Sequence, residues 1–169
     1  VSDETREDVL AHFDVDPAKI HVIANGIDTE EYKPTTNPDR LRELGIEPDD
    51  PFILFVGRVT RQKGIIHLVN AIKHLDPGFQ IVLFAGAPDT PEIAAEMKAA
   101  VEAASETGHK VIWIEEMVDT ATKIAAYTHA WLFVCPSIYE PFGIINLEAM
   151  ACDTPVVASA VGGMKEVII

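Results

Sequence analysis

The sequence contains few cysteines and few basic residues. Only 2 of its 169 residues are cysteine, Cys135 and Cys152, and their spacing fits neither a redox pair nor a zinc knuckle. We therefore expect two buried thiols in a reducing compartment. The 13 Lys and Arg residues are outnumbered by 27 Asp and Glu residues, which gives a net charge of −14. Because nucleic-acid affinity depends on cationic side chains, this balance argues against a nucleic-acid partner.

Long apolar segments are also missing. No stretch approaches the roughly 20 consecutive apolar residues that a membrane-spanning helix needs, and residues 1–4 do not resemble a signal peptide. With 48% hydrophobic residues and no low-complexity segment, the composition predicts a soluble, cytoplasmic protein with no membrane partner. The six histidines are scattered, so the sequence predicts no metal cofactor.

We expect the chain to be a piece of a longer protein, because it begins without methionine and ends on an apolar run, Val167-Ile168-Ile169. Residues 1–35 are predicted to be the end of a preceding domain, with a helix capped by Ser2 and a strand over residues 20–24. A helix and a strand cut from their own domain leave apolar faces to bury. A homo-oligomer formed through this segment is therefore a further prediction.

The rest of the chain divides into a linker and a larger domain. Residues 36–51 are predicted to be a hinge linker, because prolines recur there and Gly45 closes a short helix. Short apolar runs follow, and they alternate with amphipathic stretches that read as helices. These runs predict strands at residues 52–56, 80–85, 111–114, 131–135 and 156–159. The alternation predicts an α/β fold over residues 52–169, a doubly wound parallel sheet of the Rossmann-like kind.

A cationic loop follows the first predicted strand. Arg58, Arg61 and Lys63 lie within six residues, although the whole chain has only 13 basic residues. The flanking glycines, Gly57 and Gly64, are too far apart for a dinucleotide fingerprint, and the order Lys-Gly does not fit a P-loop. Such a cluster in an acidic chain needs a ligand or a partner to explain it. A solvated surface loop is an equal alternative for this segment taken by itself.

A second motif follows the fourth predicted strand. Glu140 directly precedes Pro141-Phe142-Gly143, and Glu148 lies in the predicted helix that begins at Ile144. Ligands of open α/β sheets bind at such strand-to-helix loops. The glycine would let backbone approach a ligand, and the first N–H groups of the helix would offer donors to an anion or a hydroxyl. The carboxylates would repel phosphate, so we expect them to bind hydroxyls; exposed surface charge is the alternative for an isolated pair of glutamates.

The two motifs together resemble those of retaining, metal-independent, two-domain (GT-B) glycosyltransferases, the family that includes bacterial glycogen synthases and sucrose synthases. The resemblance covers nearly the whole chain, which would be the C-terminal, nucleotide-sugar-binding half, truncated at its C-terminus. It implies that the parent enzyme transfers glucose from ADP-glucose or UDP-glucose to an α-1,4-glucan, as glycogen synthases do, and that the fragment is inactive alone. The alternatives are a relative with another sugar donor, of the mannosyl or sucrose type, and a noncatalytic interaction module.

The resemblance also implies roles for individual residues. Arg58 and Lys63 would hold the donor diphosphate and, with Glu140, take part in catalysis. Glu140 would contact the hydroxyls of the transferred sugar, and Glu148 the ribose. Phe142, Gly143 and Ile144 would offer backbone donors to the sugar or the phosphate. Gly57 and Gly86 complete the set of donor-binding residues.

Weaker assignments complete the prediction. Residues 86–88 and 114–117 follow strands and are candidates for the base pocket. Gly162 and Gly163 either approach the donor or begin a helix, and Arg61, which has no counterpart in the motif, is expected at the surface.

The sequence departs from the family pattern at two positions. Asp153 stands where the family usually has glycine, and Lys165 stands where proline commonly precedes Glu166. We expect both differences to affect local turns and not the chemistry.

Overall fold

The computed structural model describes residues 1–86 and 88–168, which contain seven α-helices and five β-strands. The helices are α1 (Asp3–His12), α2 (Asp39–Glu43), α3 (Ile65–Ala71), α4 (Pro91–Ser105), α5 (Thr120–His129), α6 (Ile144–Ala151) and α7 (Met164–Val167). The strands are β1 (Phe52–Arg58), β2 (Gln80–Gly86), β3 (Lys110–Ile114), β4 (Leu132–Cys135) and β5 (Val156–Ala158). In this part of the chain, no helix has both the length and the apolar content needed to cross a membrane.

The five strands form one parallel sheet in the order β3-β2-β1-β4-β5. β1 lies at the centre, with Arg58 opposite Gly86 of β2 and Ile53 opposite Leu132 of β4. The chain therefore runs outward from β1 in one direction and then returns to its other side with β4. Open α/β sheets bind ligands at such a reversal of strand order, beyond the carboxyl ends of the two strands.

Helices cover both faces of the sheet, as the sequence predicted. Successive residues of a strand point to opposite faces. Leu54 of β1 belongs to the core cluster formed with α2, α5 and α6, whereas Ile53 and Phe55 belong to the cluster formed with α3 and α4. Each of these buried side chains contributes about 1.5–3 kcal/mol through removal of its surface from water.

The five predicted strands are confirmed, with small shifts at their ends. β1 continues to Arg58, and β4 begins at Leu132, one residue after the predicted start. The amphipathic stretch after β1 is α-helical only from Ile65 to Ala71 and then tightens into a 3-10 turn over Ile72–His74. The start of a helix at Gly162-Gly163, one of the two alternatives that the sequence left open there, is confirmed by α7. Its length was not predicted, because four residues are too few to show a helical pattern.

The predicted strand over residues 20–24 is wrong. These residues form neither helix nor strand, and Ile23 is 77% exposed. A short apolar run becomes a strand only where a neighbouring strand offers hydrogen bonds, and no strand in the described residues pairs with it. The preceding helix is confirmed as α1, with Ser2 Oγ accepting a hydrogen bond from the Thr5 N–H at 3.1 Å. That residues 1–35 belong to a preceding domain, or join two copies of the chain, stays a prediction.

The predicted linker, residues 36–51, packs against the sheet. Leu41 and Ile46 are fully buried in the core. Gln80 Nε2 at the start of β2 donates a hydrogen bond to the Glu47 carbonyl at 2.7 Å, and Gly45 ends α2 with φ +76°. These contacts hold the segment to the larger domain. A hinge function for it stays a prediction.

Candidate functional site

The loop after β1 and the loop after β4 contact each other directly. The Ile138 N–H donates to the Gln62 carbonyl at 2.8 Å, and Gln62 Nε2 donates to the Tyr139 carbonyl at 3.1 Å. Gly64, with φ +62°, is so close to the second loop that a Cβ atom there would lie 2.0 Å from the Pro136 carbonyl oxygen. Only glycine permits so close an approach. The two loops therefore pack against each other at the carboxyl ends of β1 and β4.

This contact brings Lys63 and Glu140 together. Lys63 Nζ lies 2.5 Å from Glu140 Oε2, and Ser137 Oγ donates to the same oxygen at 3.4 Å. Only 7% of Glu140 is exposed. Removing either partner of such a shielded pair leaves an uncompensated charge, which costs far more than breaking a surface ion pair. The two residues that the sequence placed in separate motifs therefore form one charged pair.

Two glycines support the backbone of Glu140. The Gly163 N–H donates to the Glu140 carbonyl at 3.0 Å. A Cβ atom on Gly162, where φ is +51°, would lie 2.1 Å from that same carbonyl oxygen. The close contact of Gly162 and Gly163 with the second loop accounts for both glycines without a direct approach to the donor.

The start of α1 packs against the same loop. Ser2 Oγ donates to the Pro141 carbonyl at 2.7 Å. The Glu166 carboxylate accepts hydrogen bonds from the N–H groups of Asp3 and Glu4, both at 3.1 Å, and these bonds lower the pKa of Glu166. The helix that the sequence assigned to a preceding domain thus contacts the residues next to Glu140.

The N-terminus of α6 lies beside Glu140. Gly143 precedes the helix with φ +87°, and a Cβ atom there would lie 3.2 Å from Glu140 Cγ and 2.6 Å from Asn146 Nδ2. The Phe142 side chain is buried, whereas Ile144 is partly exposed. The first N–H groups of a helix have no acceptor within it, and they carry the positive end of its dipole. This position suits an anion or a hydroxyl.

Arg58 lies at the carboxyl end of β1 but makes a different contact. Its guanidinium donates to Asp89 Oδ1 at 3.1 Å, and both side chains are largely exposed. An exposed pair of this kind is worth about 0–1 kcal/mol, so an anion can displace Asp89 at little cost. Arg61 pairs with Glu96 on α4 and is exposed, as the sequence predicted.

Close packing explains the two glycines near the carboxyl ends of β1 and β2, Gly57 and Gly86. A Cβ atom on Gly57 would lie 3.1 Å from the Phe55 ring and 4.0 Å from Lys63 Cγ. One on Gly86 would lie 2.1 Å from the Glu115 carbonyl oxygen in the loop after β3. Direct donor contacts by either glycine, and the base pocket at residues 86–88 and 114–117, stay predictions; Ala87 lies outside the described residues.

The Glu148 carboxylate is held by two side chains of α5. Tyr127 OH donates to Glu148 Oε2 at 2.9 Å, and Lys123 Nζ lies 3.7 Å from the same oxygen. Lys123 also donates to Tyr32 OH at 3.1 Å. Sequence reasoning found Glu148 but missed these partners. The available signal was the four-residue spacing of Lys123 and Tyr127, which places them on one face of a helix.

Burial fixes the protonation states in this cluster. Burial, with the charge of Glu148, raises the pKa of Tyr127 well above its ordinary value, so the hydroxyl remains a donor. Burial lowers the pKa of Lys123, but the hydrogen bond to Tyr32 and the charge of Glu148 outweigh that effect and raise the pKa overall. Lys123 therefore stays cationic beside the carboxylate.

Comparison with known proteins establishes the family. The family of glycosyl transferases group 1 matches residues 37–169. The chain belongs to this family. The domain is 49% identical over 172 residues to an alpha-maltose-1-phosphate synthase of Mycolicibacterium smegmatis, covering 99% of this chain and 44% of that protein. It is 34% identical over 172 residues to a D-inositol 3-phosphate glycosyltransferase of Xylanimonas cellulosilytica, covering 98% of this chain and 41% of that protein.

A solved structure agrees with this assignment. The sucrose-phosphate synthase of Thermosynechococcus elongatus superimposes with a TM-score of 0.81 and 31% identity, over 100% of this chain and 42% of the other. The predicted fold and glycosyltransferase family are thus confirmed: the group 1 glycosyltransferase domain has the Rossmann-like sheet of GT-B enzymes. The chain spans less than half the length of these three relatives. None of their names is that of a glycogen synthase, so that finer assignment stays a prediction.

Proposed function

We propose that this domain binds the nucleotide diphosphate sugar of a glycosyltransferase at the carboxyl ends of β1 and β4, where the loops after these two strands meet. The observation that carries the proposal is the shielded contact between Lys63 and Glu140. It puts a cation suited to a diphosphate and a carboxylate suited to sugar hydroxyls at one position. The adjacent start of α6 adds backbone donors.

The cationic groups would stabilise the leaving diphosphate. Cleavage of the bond between the sugar and its phosphate oxygen leaves negative charge on the diphosphate, and fixed positive groups lower the barrier to this step. Lys63, Arg58 and the N-terminus of α6 would provide them. Arg58 would exchange Asp89 for phosphate.

Lys63 and Glu140 would exchange partners when the donor binds. In the structure each charge compensates the other. The diphosphate would then take over Lys63, and sugar hydroxyls would donate to Glu140, so that neither shielded charge is left alone. In the described part of the chain no hydrogen bond reaches Glu140 Oε1. This oxygen is therefore available to a hydroxyl even while Lys63 holds Oε2.

The parent protein would transfer a glucosyl unit from ADP-glucose or UDP-glucose with retention of the anomeric configuration. The names of the three relatives each contain a phosphorylated sugar or polyol, which favours a phosphorylated acceptor. An α-1,4-glucan acceptor, as in glycogen synthases, is the second candidate and rests on the motif resemblance. The sugar of the donor rests on a few hydroxyl contacts, so a mannosyl or sucrose-type relative is the alternative to a glucosyltransferase.

Isothermal titration of the domain with ADP and UDP tests the donor site. We expect binding of at least one nucleotide, and we expect Arg58→Ala to weaken it by about tenfold or more, because hydrogen bonds to charged groups contribute about 1.5–3 kcal/mol. Arg42→Ala, which removes an exposed arginine from α2, is the matched control and should change little. A folded domain that binds neither nucleotide would contradict the proposal and support a noncatalytic interaction module.

A second experiment decides donor sugar and acceptor. The longest natural protein that contains this domain would be incubated with ADP-glucose, UDP-glucose or GDP-mannose, and with phosphorylated monosaccharides, inositol phosphates or an α-glucan. Mass spectrometry of the products identifies which acceptor gains a hexose. Transfer to the glucan alone would reject the phosphorylated acceptor and favour the glycogen synthase-like activity.

A further inference from the structure

The two glutamates of the site are held in the same way. Glu140 Oε2 is bound by the Lys63 ammonium group and a serine hydroxyl. Glu148 Oε2 is bound by the Tyr127 hydroxyl, with the Lys123 ammonium group 3.7 Å away. For both glutamates, no hydrogen bond from residues 1–86 or 88–168 reaches Oε1. Each carboxylate thus has one oxygen fixed by the protein and one available to a ligand.

We propose that Tyr127 and Lys123 are positioning residues that orient the Glu148 carboxylate so that Oε1 accepts hydrogen bonds from the ribose hydroxyls of the donor nucleotide. This inference rests on the proposed donor-binding function. It assigns a part in donor binding to two residues of α5, and it gives each of them a different role.

Stability alone does not account for this cluster. Glu148 is 8% exposed, and the next residue, Ala149, is fully buried in the apolar core. Replacing a buried ion pair by apolar side chains is often neutral or stabilising. A nearly buried carboxylate with only one oxygen engaged is therefore expected where a ligand supplies the missing donors.

Tyr127 would set the direction of the carboxylate. Its hydroxyl makes the short contact, 2.9 Å, with Glu148 Oε2. Its ring is fully buried and packs edge-to-face on Phe133 of β4, with the ring centres 5.4 Å apart. A donor held this rigidly fixes which oxygen of the carboxylate points away from it.

Lys123 would compensate the negative charge of the carboxylate. At 3.7 Å its ammonium group is too far from Glu148 Oε2 for a hydrogen bond, but it supplies a compensating positive charge. Tyr32, which precedes α2, accepts a hydrogen bond from this ammonium group and holds it in place.

The test compares the affinities for ADP and for 2′,3′-dideoxy-ADP by isothermal titration of the domain. The unaltered protein should prefer ADP by about tenfold or more, because a hydrogen bond to a charged group contributes about 1.5–3 kcal/mol. Tyr127→Phe retains the ring and its packing, and it should reduce this preference several-fold without changing the affinity for the dideoxy nucleotide. Lys123→Met should also reduce the preference for ADP, and Lys123→Arg should reduce it less. The control Lys98→Met, on α4, should leave the preference unchanged.

The outcomes separate positioning from structure. If the role were purely structural, the variants would lose affinity for both nucleotides in parallel, and that result would overturn the inference. An unchanged preference in both Tyr127→Phe and Lys123→Met would also overturn it. The two variants act independently, so misfolding of one leaves the other to decide. If the unaltered protein binds both nucleotides equally, the inference fails while the donor site stands. If the folded protein binds UDP but not ADP, the same comparison is made with UDP and 2′,3′-dideoxy-UDP. If it binds neither ADP nor UDP, the proposed function fails and this inference with it.

Discussion

Lys63 Nζ contacts Glu140 Oε2 at 2.5 Å although 77 positions separate the two residues in the sequence. The residues belong to the loops after β1 and β4, and these strands are neighbours only because the strand order reverses between them. The contact therefore depends on the topology of the sheet and not on local sequence. With another strand between β1 and β4, the cation and the carboxylate would lie apart.

Loss of Lys63 should abolish most nucleotide binding. Lys63→Met removes the cation and leaves Glu140 as a shielded negative charge that repels a diphosphate, so we expect ADP affinity to fall by about 10- to 100-fold in isothermal titration. Arg61→Met is the matched control, because Arg61 lies in the same loop but pairs with Glu96. Similar losses in both variants would indicate a general effect of loop charge and contradict the specific role of Lys63.

Gly162→Ala should destabilise the protein more than Gly45→Ala. Both glycines have positive φ, +51° and +76°, but only at Gly162 would a Cβ atom meet another atom, 2.1 Å from the Glu140 carbonyl oxygen. Backbone strain costs about 1–2 kcal/mol at either position, and the overlap should add about 1–3 kcal/mol at Gly162. Denaturant titrations measure both free energies of unfolding. Equal losses of unfolding free energy in the two variants would mean that the loop carrying Glu140 shifts to accommodate the new methyl group at no cost.

Asp153→Gly should stabilise the protein. Among the described residues other than glycine, Asp153 alone has a positive φ, 62°, and it occupies the position at which the family pattern has glycine. Glycine relieves the strain but is more flexible in the unfolded chain, so we expect a net gain of about 0.5–1 kcal/mol. Asp153→Ala should have the opposite sign, because alanine tolerates this conformation less well than aspartate. Thermal unfolding of both variants is the measurement, and a loss of stability in Asp153→Gly would be inconsistent with strain at this turn.

Stability should fall at alkaline pH partly through Cys152. Burial raises the pKa of the Cys152 thiol from 9.0 to about 11. Between these values the unfolded chain releases a proton that the folded protein keeps, so the contribution is complete below pH 9 and is lost as the pH rises through about 11. Per group this amounts to at most about 1.4 kcal/mol per pH unit.

Comparison with Cys152→Ala isolates this contribution. Denaturant titrations from pH 8 to 11 should give a shallower decline of the free energy of unfolding for the variant, even though the smaller side chain lowers its stability at pH 8. Tyr127 and Cys135, whose pKa values burial also raises, remain in both proteins and cancel in the comparison. Identical slopes would show that Cys152 ionises equally in both states.

The strands of the sheet could be predicted because each is buried on both faces and therefore reads as a short apolar run. The same pattern over residues 20–24 gave a wrong strand, since hydrogen-bond partners decide the outcome and sequence periodicity does not report them. The strand order could not be predicted from the sequence, because it depends on how the crossover connections pack. The site could be placed at two strand ends, but the sequence did not reveal that Lys63 and Glu140 contact each other.

The partners of Glu148 illustrate a second limit. Tyr127 lies 21 positions before Glu148 and belongs to a helix whose apolar face looks like ordinary core. The four-residue spacing places Lys123 and Tyr127 on one face of this helix, but it does not show whether the tyrosine fills space or holds a carboxylate. By contrast, Asp153 could be singled out from the motif alone, and its φ of 62° provides the physical reason for glycine at that position.

The approach of Gly64 to the Pro136 carbonyl has a consequence for protein engineering. No methyl group fits between the two chain segments, so grafting either loop alone from another family member would bring in a mismatched surface. Residues 57–64 and 136–143 should be exchanged together, as one cassette. Libraries aimed at new sugar donors would then keep Gly64 and Pro136 constant and randomise only positions that do not contribute to their junction.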